Sequence, residues 1–532
     1  MINYPEKRKI RFFNTTGPCY PWDHYMLPPA DRLVGAQLDR YIRDNLYWVL
    51  HAPRQTGKTT FLRSWAREIN SENNAVACYV SLENCQGIKD RTEAMKTIHD
   101  SICTSARKSE LPEPKIDSDK THIILQDTMQ KWSELTAPKP LIVLFDETDV
   151  LEEDPLISFL RQLRTGFAER GIGKFPVSIA LVGMRDLKDY ITAAKDGITP
   201  NPGSPFNIKS DSVFISNFTK DDVITLFTQR TGETGQQITQ EAIDYVYEQS
   251  WGQPWIVNSL FQRATMRILT EDNYETVTLD HILKAREQMI QGRETHLDAL
   301  GYRLRDSRIK RVIETILTGN IDPDMGRTNP DVELAIDLGL IKWNTETGFT
   351  ISNPIYEELL TRFLNSSYHD NLPSPSSWQW QKADGKLDMT RLLKEFQNFW
   401  RNNSEIWEEK ANYTEAFPHL LLLAFLQRVL NGGGRIDREV AAGRGRMDLL
   451  IEYKGDKYVI EIKLIYQRSN PKNVRAEGIQ QISSYRDRVA PKVPSYLMIF
   501  DRRETAKNLS WDEKIYLHEE EHSTGNITII GV

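Results

Sequence analysis

The sequence predicts a multidomain α/β protein, with a parallel sheet in its N-terminal half and a smaller α/β domain at its C-terminal end. Apolar, β-like runs alternate with helical stretches between residues 47 and 218, as expected for a parallel sheet with crossover helices. Two neighbouring segments near residue 450 alternate strictly between polar and apolar residues, which predicts a β-hairpin. A chain of 532 residues is also too long for one hydrophobic core.

Composition argues against secreted and membrane-spanning classes of protein. The hydrophobic content of 39% and the charged content of 27% are ordinary for globular proteins. No apolar run approaches the ~18 residues of a membrane helix, and the N-terminal segment lacks the apolar region of a secretory signal. The four cysteines show no CxxC pairing, which argues against a zinc site or a disulfide framework. We therefore expect a reduced, cytoplasmic protein with no membrane partner.

The first motif is HAPRQTGKTT at residues 51–60, between a β-like run and the helical stretch FLRSWAREI. Strand, glycine-containing loop and helix in this order are typical of a phosphate-binding loop (P-loop). Lys58 would reach the β- and γ-phosphates of ATP, and the Thr59 hydroxyl would bind Mg²⁺. Ala52 replaces the first glycine of the motif, and its single methyl group should be tolerated. The predicted nucleotide contacts are Pro53, Arg54, Gln55, Thr56, Gly57, Lys58, Thr59 and Thr60.

The second part of the predicted nucleotide site is LIVLFDETD at residues 141–149, a buried-strand run that ends in two acids. We expect Asp146 on a strand beside the P-loop strand, where it would hold Mg²⁺, and Glu147 would orient the attacking water. These two acids, with a further strand at residues 75–83 between the motifs, resemble the AAA+-related ATPases. Arg185, just past the next strand, is a candidate phosphate sensor, with a surface ion pair as the alternative.

Residues 219–296 are predicted to be helical and are interrupted by WGQPW at residues 251–255. This resembles the Gly-x-Pro signature of archaeal-type and STAND-like ATPases, whose helical lid closes on the nucleotide. Gly252 and Pro254 match the signature, so the resemblance implies that Pro254 lies at the nucleotide. It also implies a homo-oligomer as one candidate state. Upstream, Pro29 occupies a position where such ATPases often have an arginine.

Residues 301–368 predict two helices, a two-stranded hairpin and a closing helix, an order typical of a winged helix. The helix expected to enter the DNA major groove is acidic, with Asp331, Glu333 and Asp337. This charge favours a structural or protein-contact module over DNA reading. Prolines and serines then predict a linker over residues 369–392.

The most informative stretch holds MDLLIEY and YVIEIKL, separated by KGDK, at residues 447–464. With Gly-Asp as a two-residue turn, the register predicts that Asp448 lies opposite Lys463. Asp448, Glu461 and Lys463 then share one face of the hairpin, and the other face is continuously apolar. Partly buried carboxylates are costly unless they are paired or bind a metal. A solvated face with an ion pair is the alternative reading.

An Asp at the start of one strand followed by Glu-x-Lys on the next resembles the PD-(D/E)XK nuclease superfamily. The resemblance implies that Asp448 and Glu461 bind Mg²⁺ and that Lys463 assists the nucleophilic water or the scissile phosphate. The resemblance further implies that Gln481 and Tyr485 belong to the site, because they resemble the Gln-x-x-x-Tyr motif of RecB-like nucleases. It also implies a site role for Glu415, a carboxylate on the helix that precedes the hairpin.

The whole chain therefore resembles a bacterial AAA-like P-loop ATPase fused to a PD-(D/E)XK nuclease domain. The expected domains are an ATPase core (1–218), a lid (219–300), a winged helix (301–368), a linker (369–392) and a nuclease-like domain (393–532). The resemblance implies an ATP-regulated, Mg²⁺-dependent nuclease whose partner is nucleic acid, with DNA preferred. The alternative is an ATP-driven switch or DNA-handling ATPase whose C-terminal domain binds nucleic acid without cutting it.

Overall fold

The computed structural model divides the chain into two compact units. Unit 1 comprises Met1–Leu300 and Asp322–Glu357, and unit 2 comprises Gly301–Ile321 and Glu358–Val532. The structure describes residues 10–116, 122–184, 209–270, 273–292, 294–317, 329–345, 348–369, 380, 382, 386–410, 418, 421–423, 425–426, 434–442, 445–465, 469–489, 493–501, 503, 506, 509–522 and 525–532.

Unit 1 contains a six-stranded sheet of order β1-β6-β2-β5-β4-β3, in which only the short β1 is antiparallel to its neighbour. Its strands are β1 (Leu33–Val34), β2 (Tyr47–His51), β3 (Val76–Ser81), β4 (Leu141–Asp146), β5 (Ser178–Gly183) and β6 (Lys209–Ile215). The predicted parallel sheet is confirmed. One expectation is corrected, because β5 separates β4 from β2. Parallel strands end at one edge, so residues that follow β2 and β4 still meet there.

Helices cover both faces of this sheet. They are α1 (Leu38–Arg43), α2 (Lys58–Glu72), α3 (Arg91–Lys108), α4 (Ile124–Thr136) and α5 (Glu153–Phe167). Successive strand residues belong to opposite cores, since Val49 packs with α3–α5 whereas Trp48 and Leu50 pack with α1 and α2. Burial on both faces explains why the strands are continuous apolar runs.

The described part of residues 219–292, predicted as the lid, contains the α-helices α6 (Lys220–Thr234), α7 (Gln240–Ser250), α8 (Pro254–Arg263) and α9 (Leu279–Gln291). The WGQPW segment is the turn between α7 and α8. Gly252 has a φ of 72°, and its carbonyl accepts a hydrogen bond of 2.8 Å from the backbone N–H of Phe218. Pro254 is buried as the first residue of α8, where a missing N–H costs nothing.

The elements predicted for residues 301–368 are present. They follow a further helix, α10 (Thr295–Arg303). The predicted elements are α11 (Ser307–Leu317), α12 (Pro330–Asp337), the antiparallel hairpin β7 (Ile341–Asn344) and β8 (Gly348–Ile351), and the closing helix α13 (Pro354–His369). Asp322–Glu357 belongs to unit 1 and the flanking residues to unit 2. The winged-helix assignment and the domain boundaries stay predictions.

Unit 2 contains a second six-stranded sheet, of order β13-β14-β12-β11-β10-β9, with parallel pairs β11–β12 and β12–β14. The strands are β9 (Gly434–Ala442), β10 (Gly445–Tyr453), β11 (Asp456–Ile465), β12 (Ser495–Asp501), β13 (Tyr516–Glu520) and β14 (Ile527–Gly531). Helices of unit 2 that follow α13 include α14 (Met389–Lys410), α15 (Pro471–Val489) and the short α16 (Trp511–Lys514). Among the described residues, no helix has both the length and the apolar character needed to cross a bilayer.

The turn at Gly252 yields a first prediction. A Cβ at this position would lie 1.8 Å from the carbonyl oxygen of Phe218, in a left-handed backbone conformation. We expect Gly252→Ala to lower the free energy of unfolding by about 2 kcal/mol or more, because steric overlap adds to backbone strain. Calorimetric unfolding of the full chain measures this change.

The matched control is Gly232→Ala within α6, where an added Cβ meets no atom within 4 Å. Alanine is the better helix former, so this variant should be as stable as the parent or slightly more stable. Equal unfolding temperatures for both variants would contradict the structural role assigned to Gly252.

Candidate nucleotide and metal sites

The predicted P-loop joins the end of β2 to the start of α2. Gly57 is in the left-handed conformation, with a φ of 100°, and α2 begins at the next residue, Lys58. Ala52 is 1% exposed within the hydrophobic core, and its N–H donates to the Gly183 carbonyl on β5. The methyl group that replaces the expected glycine is therefore accommodated by packing.

The P-loop and the end of β4 meet at Asp146, as predicted. The Thr59 hydroxyl donates to Asp146 Oδ2 at 2.6 Å. Asp146 is 1% exposed, and its burial raises the pKa of the carboxyl group. The Lys58 ammonium donates to the carbonyls of Ala52 and Pro53, at 2.6 and 2.8 Å. Burial lowers the pKa of Lys58 to about 8, so the side chain is mostly cationic at neutral pH.

Two side chains of the edge strand β3 contact the acids at the end of β4, and sequence reasoning missed both. The Tyr79 hydroxyl donates to Asp146 Oδ2 at 3.2 Å. The Ser81 hydroxyl donates to Glu147 Oε2 at 3.2 Å. Burial, with Asp146 adjacent, raises the pKa of Glu147. No local pattern in the sequence indicates these contacts, because they follow from the pairing of β3 with β4, in which Ser81 lies level with Asp146.

A buried arginine supports the P-loop and was also missed. Arg32 is 8% exposed and donates to the carbonyls of Thr56 and Ser216, at 2.8 and 3.0 Å. Burial lowers its pKa to about 10, so it stays a cation at neutral pH. A Cβ at Gly57 would lie 2.7 Å from an Arg32 nitrogen, which explains why glycine is needed there. The sequence has Pro29 where such ATPases often have an arginine, and the arginine that contacts the loop in this structure is Arg32.

Other predicted nucleotide contacts are placed less directly. The pKa of the partly buried His296 is lowered to about 4 by burial and then by the charge of Arg54, which indicates that Arg54 lies near this histidine. Gln55 has a φ of 60° within the loop, and Thr60 accepts a hydrogen bond of 3.0 Å from the Cys19 N–H. Arg185 lies outside the described residues. A role for Pro254 at the nucleotide stays a prediction.

In unit 2, the hairpin of β10 and β11 has a different register from the predicted one. Leu449 pairs with Ile460 and Glu452 with Lys457, so the turn is formed by Lys454 and Gly455. Both turn residues have positive φ, 50° and 89°, as a type I′ turn requires. The observed register is shifted from the predicted one by two residues, so every side chain stays on its predicted face. It brings Asp448 level with Glu461 instead of Lys463.

The three predicted site residues of this hairpin are close together. Glu461 Oε1 accepts a hydrogen bond of 2.8 Å from the Lys463 ammonium. Asp448 Oδ2 accepts one of 2.7 Å from the backbone N–H of Ile462. Glu461 is 1% exposed, so this carboxylate is more deeply buried than the partial burial expected from the sequence. Burial, followed by repulsion from Asp448, raises the pKa of Glu461 to about 7.

The donor set suits a divalent cation. Glu461 Oε2 is buried and has no hydrogen-bond partner among the described residues, and it lies beside the second carboxylate, Asp448. Hard cations such as Mg²⁺ take carboxylate oxygens as ligands. Within the described part of the chain, no cluster of three or more His, Cys, Asp or Glu side chains is arranged to hold a metal. The third predicted carboxylate, Glu415, lies outside the described residues.

Helix α15 packs across β11 beside this site. A Cβ at Gly478 would lie 2.6 Å from Leu497 Cδ1 and 3.3 Å from Lys463 Cγ, so the helix approaches β11 and β12 closely at this glycine. Gln481 follows on the same helix, and its buried Oε1 has no hydrogen-bond partner among the described residues. Tyr485 is in α15, but its side chain is not described.

Comparison with known proteins supports the two folds separately. Residues 413–499 match a family of the PD-(D/E)XK nuclease superfamily. This segment contains the six site residues predicted for the C-terminal domain, which are Glu415, Asp448, Glu461, Lys463, Gln481 and Tyr485. A search of the curated proteins gave no match.

Several solved ATPase structures resemble about 60% of the chain. A Walker-type ATPase of Pyrococcus abyssi is 15% identical, with 60% of this chain and 93% of that chain covered, at a TM-score of 0.42. The RuvB Holliday junction branch migration motor of Thermotoga maritima is 12% identical, with 60% and 90% covered, at 0.33. Cdc6p from Pyrobaculum aerophilum is 14% identical, with 62% and 91% covered, at 0.33.

At these TM-scores, the N-terminal assignment rests on the structure itself: a parallel sheet, a P-loop between β2 and α2, and two acids at the end of β4. The C-terminal assignment rests on the family match and on the paired acids of β10 and β11. The chain thus joins a P-loop ATPase fold in its N-terminal region to a PD-(D/E)XK nuclease domain at its C-terminal end.

Proposed function

We propose that the protein is an ATP-regulated nuclease that cleaves DNA by Mg²⁺-assisted phosphodiester hydrolysis, in defence against foreign DNA or in DNA repair. The observation that carries the nuclease proposal is that Oε2 of Glu461 is buried and has no hydrogen-bond partner among the residues that the structure describes. A buried carboxylate oxygen without a partner is costly, and a bound cation would remove this cost. A purely structural ion pair with Lys463 would not require that the second oxygen of Glu461 lack a partner.

Each residue of the hairpin then has a role. Asp448 and Glu461 would hold the cation, and the backbone N–H of Ile462 fixes the orientation of Asp448. A bound divalent cation supplies charge stabilisation at the phosphate and lowers the pKa of a water molecule. Lys463, 2.8 Å from Glu461 in the described structure, would then be released to contact the water or the scissile phosphate.

A nucleic acid is the proposed substrate because the region around the hairpin is basic within an acidic chain, and DNA is preferred because of the resemblance to RecB-like nucleases. Residues 435–509 contain 16 Lys and Arg against 10 Asp and Glu, whereas the whole chain has a formal charge of -7. Such a local excess favours a polyanionic partner. RNA offers the same phosphates, so a direct comparison of both substrates is part of the test.

In unit 1, Lys58 and Thr59 would hold the phosphates and Mg²⁺ of ATP, with Asp146 as the second contact to the metal. The Ser81 hydroxyl holds Oε2 of Glu147, so Oε1 of the same carboxylate would orient the attacking water molecule. Hydrolysis of a phosphodiester bond consumes no ATP. The nucleotide must therefore act through conformation, by favouring one state of the chain over another.

The nuclease proposal is tested with Glu461→Gln, which keeps the shape of the side chain but removes its charge. We expect the parent to cleave DNA with Mg²⁺ and not with EDTA, and Glu461→Gln to be slower by about 100-fold or more. The measurement is a cleavage time course on supercoiled, linear and single-stranded DNA and on RNA of the same sequence.

The matched control is Glu452→Gln, a glutamate on the neighbouring strand that pairs with Lys457 away from the site. It should cleave like the parent. If Glu461→Gln remains folded and cleaves as fast as the parent, the metal-site assignment is wrong. If the parent and both variants bind DNA and none of the three cleaves it, the non-cutting switch becomes the better account.

Control by ATP is tested with Lys58→Ala. Loss of the charged donor should weaken ATP binding by about tenfold or more, because hydrogen bonds from charged groups contribute about 1.5–3 kcal/mol. DNA cleavage by Lys58→Ala should fall together with its ATP affinity, although Asp448 and Glu461 of the hairpin are unchanged. Calorimetry measures ATP affinity, and the cleavage assay at saturating ATP measures the consequence.

Two further variants complete this experiment. Glu147→Gln should bind ATP but hydrolyse it slowly. Lys131→Ala, which removes an exposed lysine of α4 paired with Glu134, should behave like the parent. Equal cleavage rates for Lys58→Ala and the parent would show that the two sites are only tethered to one another.

A further inference from the structure

An exposed aromatic pair lies in the N-terminal segment of unit 1. The rings of Tyr20 and Trp22 stack with centroids 5.1 Å apart and planes 22° from parallel, and Trp22 is 60% exposed. The guanidinium of Arg67, on α2, lies 5.0 Å from the Trp22 ring centroid and 5.5 Å from that of Tyr20. Arg63, one turn earlier, donates to the Tyr20 hydroxyl at 2.9 Å. These four residues are referred to below as the aromatic–arginine patch.

The patch is an ordered platform rather than an isolated exposed side chain. The hydrogen bond from Arg63 fixes Tyr20, and Tyr20 and Arg67 together orient Trp22. Arg67 is itself exposed. A nearly parallel aromatic stack with cations beside it provides both contacts that a single strand of nucleic acid needs, because bases stack on rings and phosphates pair with guanidinium groups.

The patch is also connected to the candidate ATP site. Arg63 lies over the ring of Tyr79, 4.6 Å from its centroid. The Tyr79 hydroxyl donates to Asp146 Oδ2, the same oxygen that accepts from Thr59. Displacement of Arg63 would therefore alter the hydrogen bonds of the carboxylate that would hold Mg²⁺.

We propose that the aromatic–arginine patch binds single-stranded nucleic acid, with a base stacked on Trp22 and a phosphate held by Arg67, and that Arg63 and Tyr79 transmit this binding to Asp146. An acidic peptide would use the arginines but would leave the parallel stack without a role. The binding site is independent of nuclease chemistry. The link to Asp146 rests on the proposed ATP site.

Crosslinking tests the binding site directly. A single-stranded oligonucleotide with 5-iodouridine is irradiated with the full chain in EDTA, and the modified residues are identified by mass spectrometry. We expect crosslinks at Tyr20 or Trp22. Trp22→Ala should lose them and bind the oligonucleotide about fivefold or more weakly, the loss expected for one stacked base. An abasic strand of equal length should bind the parent and Trp22→Ala equally.

The matched control is Tyr302→Ala. Tyr302 is 64% exposed, and Arg305 lies over its ring at 5.0 Å, so it is another exposed aromatic beside an arginine. It should keep the crosslinks and the affinity of the parent. Crosslinks found only outside residues 10–28 would overturn the proposal, as would competition by an acidic peptide that equals competition by the oligonucleotide.

The link to the ATP site is measured as the affinity for Mg²⁺·ATP without a strand, with a saturating abasic strand and with a saturating base-containing strand. The parent and Trp22→Ala both carry Glu461→Gln in this measurement, so that Mg²⁺ does not support cleavage of the strand. The base-containing strand should change this affinity by about fivefold or more in the parent and leave it unchanged in Trp22→Ala. Crosslinking at Trp22 without any change in ATP affinity would refute the link alone. A parent that binds no ATP would refute the proposed nucleotide site, while the crosslinks would still decide the binding site.

Discussion

Both candidate sites depend on one physical constraint. In each unit, a carboxylate is buried on a strand of that unit's own sheet. Asp146 ends β4 and Glu461 lies within β11, and each is 1% exposed. Removal of a carboxylate from water carries a large free-energy cost unless other groups replace the lost hydrogen bonds or charge. The surrounding side chains are arranged to meet this cost, and that arrangement gives each site its chemistry.

The two carboxylates are compensated to different degrees. Asp146 accepts hydrogen bonds from Thr59 and Tyr79, and the Lys58 charge also favours its ionised form. Glu461 has the Lys463 ammonium on one oxygen and, among the described residues, no hydrogen-bond partner on the other. The incomplete compensation of Glu461 is the property expected of a cation ligand rather than of a structural ion pair.

Sequence alone predicted the residues whose position follows from local pattern. Lys58 and Thr59 follow from a loop at the start of a helix, and the shared face of Asp448, Glu461 and Lys463 follows from strict alternation. The hairpin register was wrong because a glycine at position 455 can occupy either central position of a two-residue turn. The observed type I′ turn places it second.

The residues that sequence reasoning missed come from segments distant in the chain. Arg32 reaches the P-loop from the segment before β1, and Tyr79 and Ser81 reach the acids of β4 because β3 and β4 are neighbours in the sheet. Strand order decides such contacts, and no local pattern encodes it. The burial of Glu461 was underestimated for the same reason, since α15 covers that face of the hairpin.

The raised pKa of Glu461 gives the stability of unit 2 a definite pH dependence. Since the neutral form is favoured in the folded protein, this contribution is present below the unfolded pKa of about 4.5 and is lost as pH rises through about 7. A cation binds the ionised form, so metal affinity should rise over the same range. As pH rises, ionisation of Glu461 therefore lowers the stability of unit 2 and raises its affinity for the metal.

The most direct test is calorimetric titration of the full chain with Mn²⁺ at about pH 6 and about pH 8. With a Glu461 pKa of about 7, the ionised fraction and the affinity should rise about tenfold between these values. Glu461→Gln should bind more weakly and lose most of this pH dependence. Equal affinity at both pH values, retained in Glu461→Gln, would contradict the assignment of the buried carboxylate as a metal ligand.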